Sequence, residues 1–260
     1  MSEPKTAVAA AYQTRYCAFV DILGFRESVG RLPADELLRI LEVTHRPVDP
    51  AFINDLFKAD LKISSFSDNI CVSAGPDFGG LYSLFLILEE ISFKLLDQGA
   101  LVRGGIVKGP LYHDQGVVFG DALVRAYQFE SQRALYPRIM IARDVANDIP
   151  ALGNGLAQGA LVRYLASAED GPFYLDILQR LPGDLLESNT NQAADFARYR
   201  LIASHLQRGL NASVDTPHHF AKHQWFIRYW NNKLPMIDGV PVGTASELFV
   251  REPSYSWSEN

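Results

Sequence analysis

Three charged side chains sit where an apolar strand has no need of them. Asp21 lies between Val20 and Ile22 at the end of the run Tyr16 to Ile22, Asp68 follows Ser67 between two strand-like stretches, and Arg103 precedes Gly104-Gly105 in the apolar segment Leu101 to Val107. A pair of carboxylates with a backbone carbonyl is what a magnesium or manganese ion carrying a polyphosphate takes from a protein, because the hard cation keeps waters and draws its other ligands from phosphate. Two such ions can activate an attacking oxygen and stabilise a leaving one during in-line displacement at phosphorus. The guanidinium fork of Arg103 suits phosphate oxygens, and the adjacent glycines would let a phosphate approach the backbone. On spacing alone the commoner reading of the two acids is structural, with Asp68 a turn residue and Asp21 a strand terminator; Arg103 is equally well a surface arginine on a strand's polar face. Ending a strand does not, however, require a charge between Val20 and Ile22.

The elements that must position these residues follow from periodicity and punctuation. Tyr16 to Ile22 reads as a buried strand stopped by Leu23-Gly24, and Leu61 to Phe66 with Asn69 to Ser73 as a hairpin whose tip is Ser67-Asp68. Adjacent strands could therefore bring Asp21 and Asp68 to one edge. Pro33-Ala34-Asp35 opens a helix with Leu37, Leu38, Leu41 and Val43; the apolar positions Leu84, Ile87, Leu88, Ile91 and Leu95 recur at helical spacing over Leu81 to Leu96, with Gly99 as the stop. A strand over Leu101 to Val107, a turn-rich Gly109 to Gln115, a short Val117-Val118-Phe119, a helix from Asp121 to about Arg133 and a strand from Arg138 to Ala142 complete the first 145 residues. The order predicts an α+β fold with helices on one face of a mostly antiparallel sheet. Beyond about residue 183 the pattern is helical, over Ala193 to Gln207 and Phe220 to Trp230, so residues 1–182 read as the main domain and 183–260 as a helical elaboration packed on it.

The chain has 260 residues, 48% of them hydrophobic, enough for a sizeable core, and its 24 basic against 30 acidic residues give a net charge of −6, which argues against general affinity for nucleic acid or an anionic membrane. Cys17 and Cys71 are too few for a disulfide scaffold and read as reduced core residues. The longest apolar run, Leu84 to Leu88, is far short of a membrane span, and Met1 to Gln13 lacks a signal-like stretch, so a cytoplasmic protein is expected. His218, His219 and His223 with Asp215 read as solvated or capping residues ahead of a helix, and Trp225, Tyr229 and Trp230 as helix-packing aromatics.

Taken in order, Phe19-Val20-Asp21-Ile22-Leu23-Gly24-Phe25, Ser67-Asp68 in a hairpin, Arg103-Gly104-Gly105-Ile106 followed by Gly109, and Gly120-Asp121-Ala122-Leu123 with Ala126 and Glu130 resemble the successive motifs of class III nucleotidyl cyclases over roughly residues 14 to 145. The resemblance implies a ferredoxin-like βαββαβ core and conversion of a nucleoside triphosphate to its 3′,5′-cyclic monophosphate plus diphosphate. It implies two manganese or magnesium ions per site, held by Asp21, Asp68 and the Ile22 carbonyl, with Arg103 clamping the triphosphate and Phe19, Gly24 and Phe25 lining the nucleotide. One ion would lower the pKa of the ribose 3′-hydroxyl while the other, with Arg103, neutralises the departing diphosphate. Cyclase sites form between two domains, which implies a head-to-tail homodimer.

The departures are informative. The positions that select a purine in the family are Ser64 and Val117 here, and the positions of its transition-state asparagine and arginine are Val124 and Gln128. A purine edge would lie unpaired against Val117. Arg125 and Arg133 are the nearest cationic substitutes on that helix. Together with Ala126-Tyr127, Phe129-Glu130 and Tyr136-Pro137-Arg138-Ile139, these departures resemble the pyrimidine cyclases of bacterial Pycsar antiphage defence. That resemblance implies UTP, or alternatively CTP, as substrate and a cyclic product read by a separate effector. A cyclase fold retained as a non-catalytic nucleotide-binding module is the competing expectation, since Val124 and Gln128 offer no charge to a developing oxyanion.

Overall fold

A computed structural model describes residues 11–45, 50–167, 170–171, 173–182, 192–237, 240–241, 243 and 245–253. The site depends on four strands. β1 (Gln13–Ile22) lies between β3 (Asn69–Ala74) and β4 (Val102–Asp114), both antiparallel to it, and β2 (Lys62–Phe66) pairs with β3 as the hairpin the sequence predicts. β5 (Val117–Phe119) folds back on β4. The sheet continues through β6 (Ile139–Ile141), β7 (Leu165–Ser167) and β8 (Phe173–Leu175) in the order β2-β3-β1-β4-β6-β8-β7; β4 and β6 form the parallel pair, and the other pairings are antiparallel.

Register decides which side chains meet. Because Asp21 opposes Arg103 and Phe19 opposes Gly105, the odd-numbered residues of β1 and β4 share one face, and Tyr16, Ala18 and Val20 share the other. The second face is closed, with Tyr16, Ala18 and Val20 at 0–1% exposure. The long helix α4 (Phe78–Asp97), introduced after α1 (Phe25–Val29), α2 (Ala34–His45) and α3 (Pro50–Phe57), packs against β1 and β3 there, with Leu81, Leu84, Leu88 and Ile91 buried. Asp77 caps it by accepting from the Gly80 amide at 2.8 Å. Each such fully buried aliphatic side chain contributes about 1.5–3 kcal/mol relative to exposure.

α5 (Asp121–Arg133) covers the first face of the sheet, burying Ala122, Ala126 and Glu130 at four-residue spacing. Helices therefore lie on both faces rather than the one expected, because the Arg103–Gly105 face would otherwise leave apolar strand surface open. The glycines of β4 are explained by this packing. A Cβ at Gly105 would stand 2.6 Å from the Phe129 Cβ, and one at Gly104 would stand 2.7 Å from the Phe19 carbonyl. The expectation that they admit a phosphate is thus corrected, since helix and strand already occupy that space.

Two other expectations change. Gly109 to Gln115 is not turn-rich: β4 runs to Asp114 and the turn is confined to Gln115-Gly116, because Leu111 and His113 are buried in the ladder. Residues 143–162, for which no element was read, form α6 (Arg143–Leu152) and α7 (Gly155–Val162); Pro150, Gly153, Gly155 and Gly159 interrupt the apolar period that would reveal them. Toward the C-terminus, α8 (Gln192–Ala212) packs on α4, and α9 (Pro217–Lys233) and α10 (Ala245–Leu248) pack on α8. Tyr229 and Trp230 are buried, and Trp225 stacks on Tyr136 with centroids 5.7 Å apart, as packing aromatics do. β9 (Met236–Ile237) and β10 (Val240–Pro241) form a separate two-stranded sheet. The boundary expected at 182/183 adjoins residues outside the described ones. Among the described residues no helix is long and apolar enough to cross a membrane, and Cys17 and Cys71 are free, buried thiols 3.8 Å apart.

Candidate active site

The end of β1 and the tip of the β2–β3 hairpin are stitched together by the Ile22 amide, which donates to the Asp68 carbonyl at 3.2 Å. Ser67 takes a left-handed φ of 54° to make this tip. The two carboxylates come close enough that Asp68 perturbs Asp21. Burial pushes the Asp21 carboxyl up, Arg103 holds it back, and the neighbouring Asp68 charge raises it further. Arg103 Nε lies 3.3 Å from Asp21 Oδ2 and 2.6 Å from Glu130 Oε1, although Oε1 accepts no well-aligned hydrogen bond. Glu130 is 3% exposed. Burial lifts its carboxyl to about 7, Arg103 opposes that, and Asp21 and Asp68 add to it.

Two acids, Asp21 and Glu130, thus hold one arginine, and Asp68 lies beside Asp21. In the sequence Glu130 belongs to the last of the cyclase-like motifs, which gives it no role of its own. The signal was available, because Glu130 falls on the same helical face as Ala122 and Ala126, where a charge is as anomalous as Asp21 is in β1. Among the described residues no group of three or more histidine, cysteine or carboxylate side chains is arranged to hold a metal ion, so any ion here would rest on Asp21 and Asp68, with the Ile22 carbonyl and ligands from outside the chain. The donor chemistry fits such an ion: hard oxygen ligands with their negative charge incompletely balanced.

Asp21 and Arg103 open on a cavity of ≈ 600 Å³ whose wall also includes Leu23, Gly24 and Leu101. Gly24 begins α1 with a φ of 73° and nothing within 4 Å of a would-be Cβ, so it is the backbone conformation that calls for glycine there. Phe25 turns into the core, and Phe19 meets Tyr127 edge-on at 5.6 Å.

Neither the base-selecting candidates Ser64 and Val117 nor Val124 and Gln128, at the transition-state positions, line this cavity. Val117 on β5 and Val124 on α5 are exposed by 54% and 53%, and Gln128 is also exposed on the outer face of α5. Neither cationic substitute is free. Arg125 donates to the Lys108 carbonyl at 2.8 Å and to Asp144 at 2.9 Å, and Arg133 lies over the Phe129 ring.

Ser64 ends a buried polar chain. Arg15 Nε donates to Ser73 Oγ at 2.9 Å, Ser73 Oγ meets His113 Nδ1 at 2.8 Å, and His113 Nε2 meets Ser64 Oγ at 2.9 Å. Ser73 is fully buried, and the one acceptor for its proton among the described residues is His113 Nδ1. The imidazole therefore carries its own proton on Nε2 and gives it to Ser64. Burial, with Arg15 and Lys62 nearby, pushes His113 down to about 4, so it is neutral at pH 7. Ser64 Oγ, already accepting from His113, has its own proton left for something outside.

The histidines near the C-terminus are not simply solvated. His219 and His223 of α9 line the same cavity as Asp21. His223 is half-buried, and its ring fills the space of a missing side chain at Gly209, where a Cβ would stand 2.6 Å from Cε1.

No protein-family model matches the chain, and no curated protein matches it. Solved structures that are similar include the adenylyl cyclase CyaB from P. aeruginosa, at 16% identity and a TM-score of 0.43 over 63% of this chain and 92% of that one. The monomeric guanylyl cyclase domain of the RhoGC fusion protein from the aquatic fungus Blastocladiella emersonii is similar at 13% identity and a TM-score of 0.43, over 64% of this chain and 95% of that one. The adenylate/guanylate cyclase/hydrolase from Silicibacter pomeroyi is similar at 17% identity and a TM-score of 0.40, over 63% and 95%.

Proposed function

We propose that the chain is a nucleotidyl cyclase of the class III kind that acts on a pyrimidine triphosphate, UTP before CTP, and makes a cyclic messenger for antiphage defence, read by a separate effector. The observation that carries this reading is the pairing of Asp21 with Arg103 at the wall of a cavity of ≈ 600 Å³, with the Asp68 carboxylate beside Asp21. In the reaction the ribose 3′-oxygen loses its proton and bonds to the α-phosphorus, while the bond from that phosphorus to the diphosphate oxygen breaks. Asp21 and Asp68 would hold magnesium or manganese, which when bound acidifies the attacking hydroxyl and shields phosphate charge. Arg103, held between Asp21 and Glu130, presents its guanidinium to the cavity.

Ser64 supports uracil. A hydroxyl that already accepts from His113 offers its proton, which suits the 4-oxo group of uracil; the 4-amino group of cytosine can pair with it only if that proton turns away. Removing the hydroxyl in Ser64→Ala should cut the UTP-to-CTP preference about tenfold, the worth of roughly one hydrogen bond. Exposed apolar side chains support a second copy of the chain completing the site: Val117, Phe119, Val124 and Tyr127 are exposed by 43–54%. A mixed dimer of Asp21→Ala with a chain altered in the Gly120 to Glu130 segment should then regain activity.

The test is purified protein with manganese and each of ATP, GTP, CTP and UTP in turn, with cyclic monophosphate read by mass spectrometry. Cyclic UMP is the expected product. The engagement of Arg125 and Arg133 elsewhere favours the competing reading of a non-catalytic nucleotide-binding module, and that reading prevails if no triphosphate yields product while nucleotide binding persists.

A further inference from the structure

The cavity beside Asp21 has a second wall, built by the C-terminal helices: Gly209 and Ala212 from α8, and His219, Lys222 and His223 from α9, facing Glu27 of α1 and Arg31 of the turn that follows it. Apart from Glu27, its titratable side chains are cationic or imidazole, in contrast to the acid edge. Among the described residues neither Arg31 nor Lys222 forms an ion pair. His223 is pinned against Gly209, and its Nδ1 is buried with no hydrogen-bond partner. A helix face that is merely solvated directs its cations to bulk water, as Arg228 of the same helix does, 65% exposed and paired with Glu252. Arg31, Lys222 and the two histidines instead converge on one concavity from two separate elements.

We propose that this wall is an oligophosphate subsite, in which Lys222, His219 and His223 with Arg31 take the diphosphate portion of the nucleotide and the diphosphate released from it. The wall rests on the reading of the acid edge as a phosphoryl-transfer site, and it gives the C-terminal helices a part in that site. A dianionic group between Arg31 and Lys222 supplies the counter-charge they lack, and imidazolium donors add charge-assisted hydrogen bonds to its oxygens. The state of the histidines agrees. Burial, with His218 and Lys222 beside it and Glu27 opposing, keeps His219 below its ordinary value, and burial and His219 do the same to His223. Burial is the larger cause in both, so the rings are neutral while the wall is empty, and an anion seated there would favour their charged form. Sequence alone places Asp215 to His223 in a polar stretch some 120 residues from Arg103, and the fold supplies the juxtaposition.

The experiment titrates the full chain, in magnesium, with inorganic diphosphate by calorimetry, and separately measures KM for UTP. Lys222→Glu and, on the other element, Arg31→Glu should each weaken diphosphate binding and raise KM at least tenfold, while Arg228→Glu leaves both unchanged. Both substituted positions lie outside the core, and unchanged circular dichroism verifies the fold. A wall that serves only the free product would weaken diphosphate binding without moving KM, which contradicts the proposed role toward the nucleotide. Diphosphate affinity unaltered in both variants overturns the proposal even where cyclic product is still made. Lys222-dependent diphosphate binding in a chain that makes no cyclic product upholds the subsite and overturns the cyclase reading instead.

Discussion

The two walls of the cavity balance their charge in different ways. The acid edge is compensated from within: Arg103 sits between Asp21 and Glu130, whose carboxyl groups are raised by burial first and by their acidic neighbours second. The cationic wall has no such partner, since Arg31 and Lys222 are unpaired among the described residues and His223 Nδ1 is unsatisfied. The first arrangement is stable as it stands and is poised to accept a cation; the second stays incomplete until an anion arrives. A ligand that is itself a cation–polyphosphate complex satisfies both at once, so the pair of walls says more about the ligand than either wall alone.

The comparison breaks most severely at the acids. Asp68→Asn should reduce turnover about a thousandfold, some 4 kcal/mol of barrier, with thermal unfolding unchanged; retained turnover would remove the metal role from that edge. Trp230→Ala attacks the other wall from behind. The indole is fully buried and its Nε1 donates to the Leu248 carbonyl at 2.9 Å, anchoring α9. Its loss should cost about 3–5 kcal/mol of stability and, in the fraction still folded, weaken diphosphate binding more than manganese binding.

Glu130 sharpens the comparison through pH. Its carboxyl is raised to about 7 in the fold, above its unfolded value, so the stability it contributes is complete below the unfolded value and is lost as pH rises through about 7. The wild-type chain should lose on the order of 3 kcal/mol across that window, whereas Glu130→Gln should be flat there, as unfolding curves at pH 5 and pH 8 would show. An equal loss in both chains would place the titration elsewhere. The smallest effect is at the hairpin tip: Ser67→Gly relieves a left-handed φ of 54° and should gain up to about 1 kcal/mol with metal binding intact.

What was legible in the sequence was whatever one element could announce by itself. Asp21 and Arg103 stood out as charges in apolar strands, the hairpin tip placed Asp68, and the helices over 34–45, 78–97 and 121–133 followed from apolar spacing and punctuation. Glu130 is hidden because the apolar face of its helix sets the periodic pattern, and one buried acid scarcely alters it. The network behind Ser64 needs Arg15, Ser73 and His113 from three further strands, a meeting that register determines and spacing along the chain does not. The cationic wall is tertiary in the same sense, its histidines ordinary until α9 is laid against α1 and β1. The helices over 143–162 were hidden by one proline and three glycines in positions that packing tolerates and periodicity does not.

The most direct test is turnover itself. Wild-type and Asp21→Asn chains, matched for folding, are incubated with UTP and manganese, and cyclic UMP and diphosphate are quantified together. One diphosphate for each cyclic UMP in the wild type, and a loss of about a thousandfold in the variant, is the predicted result. Equal product from both chains, or diphosphate released without any cyclic nucleotide, would contradict the account.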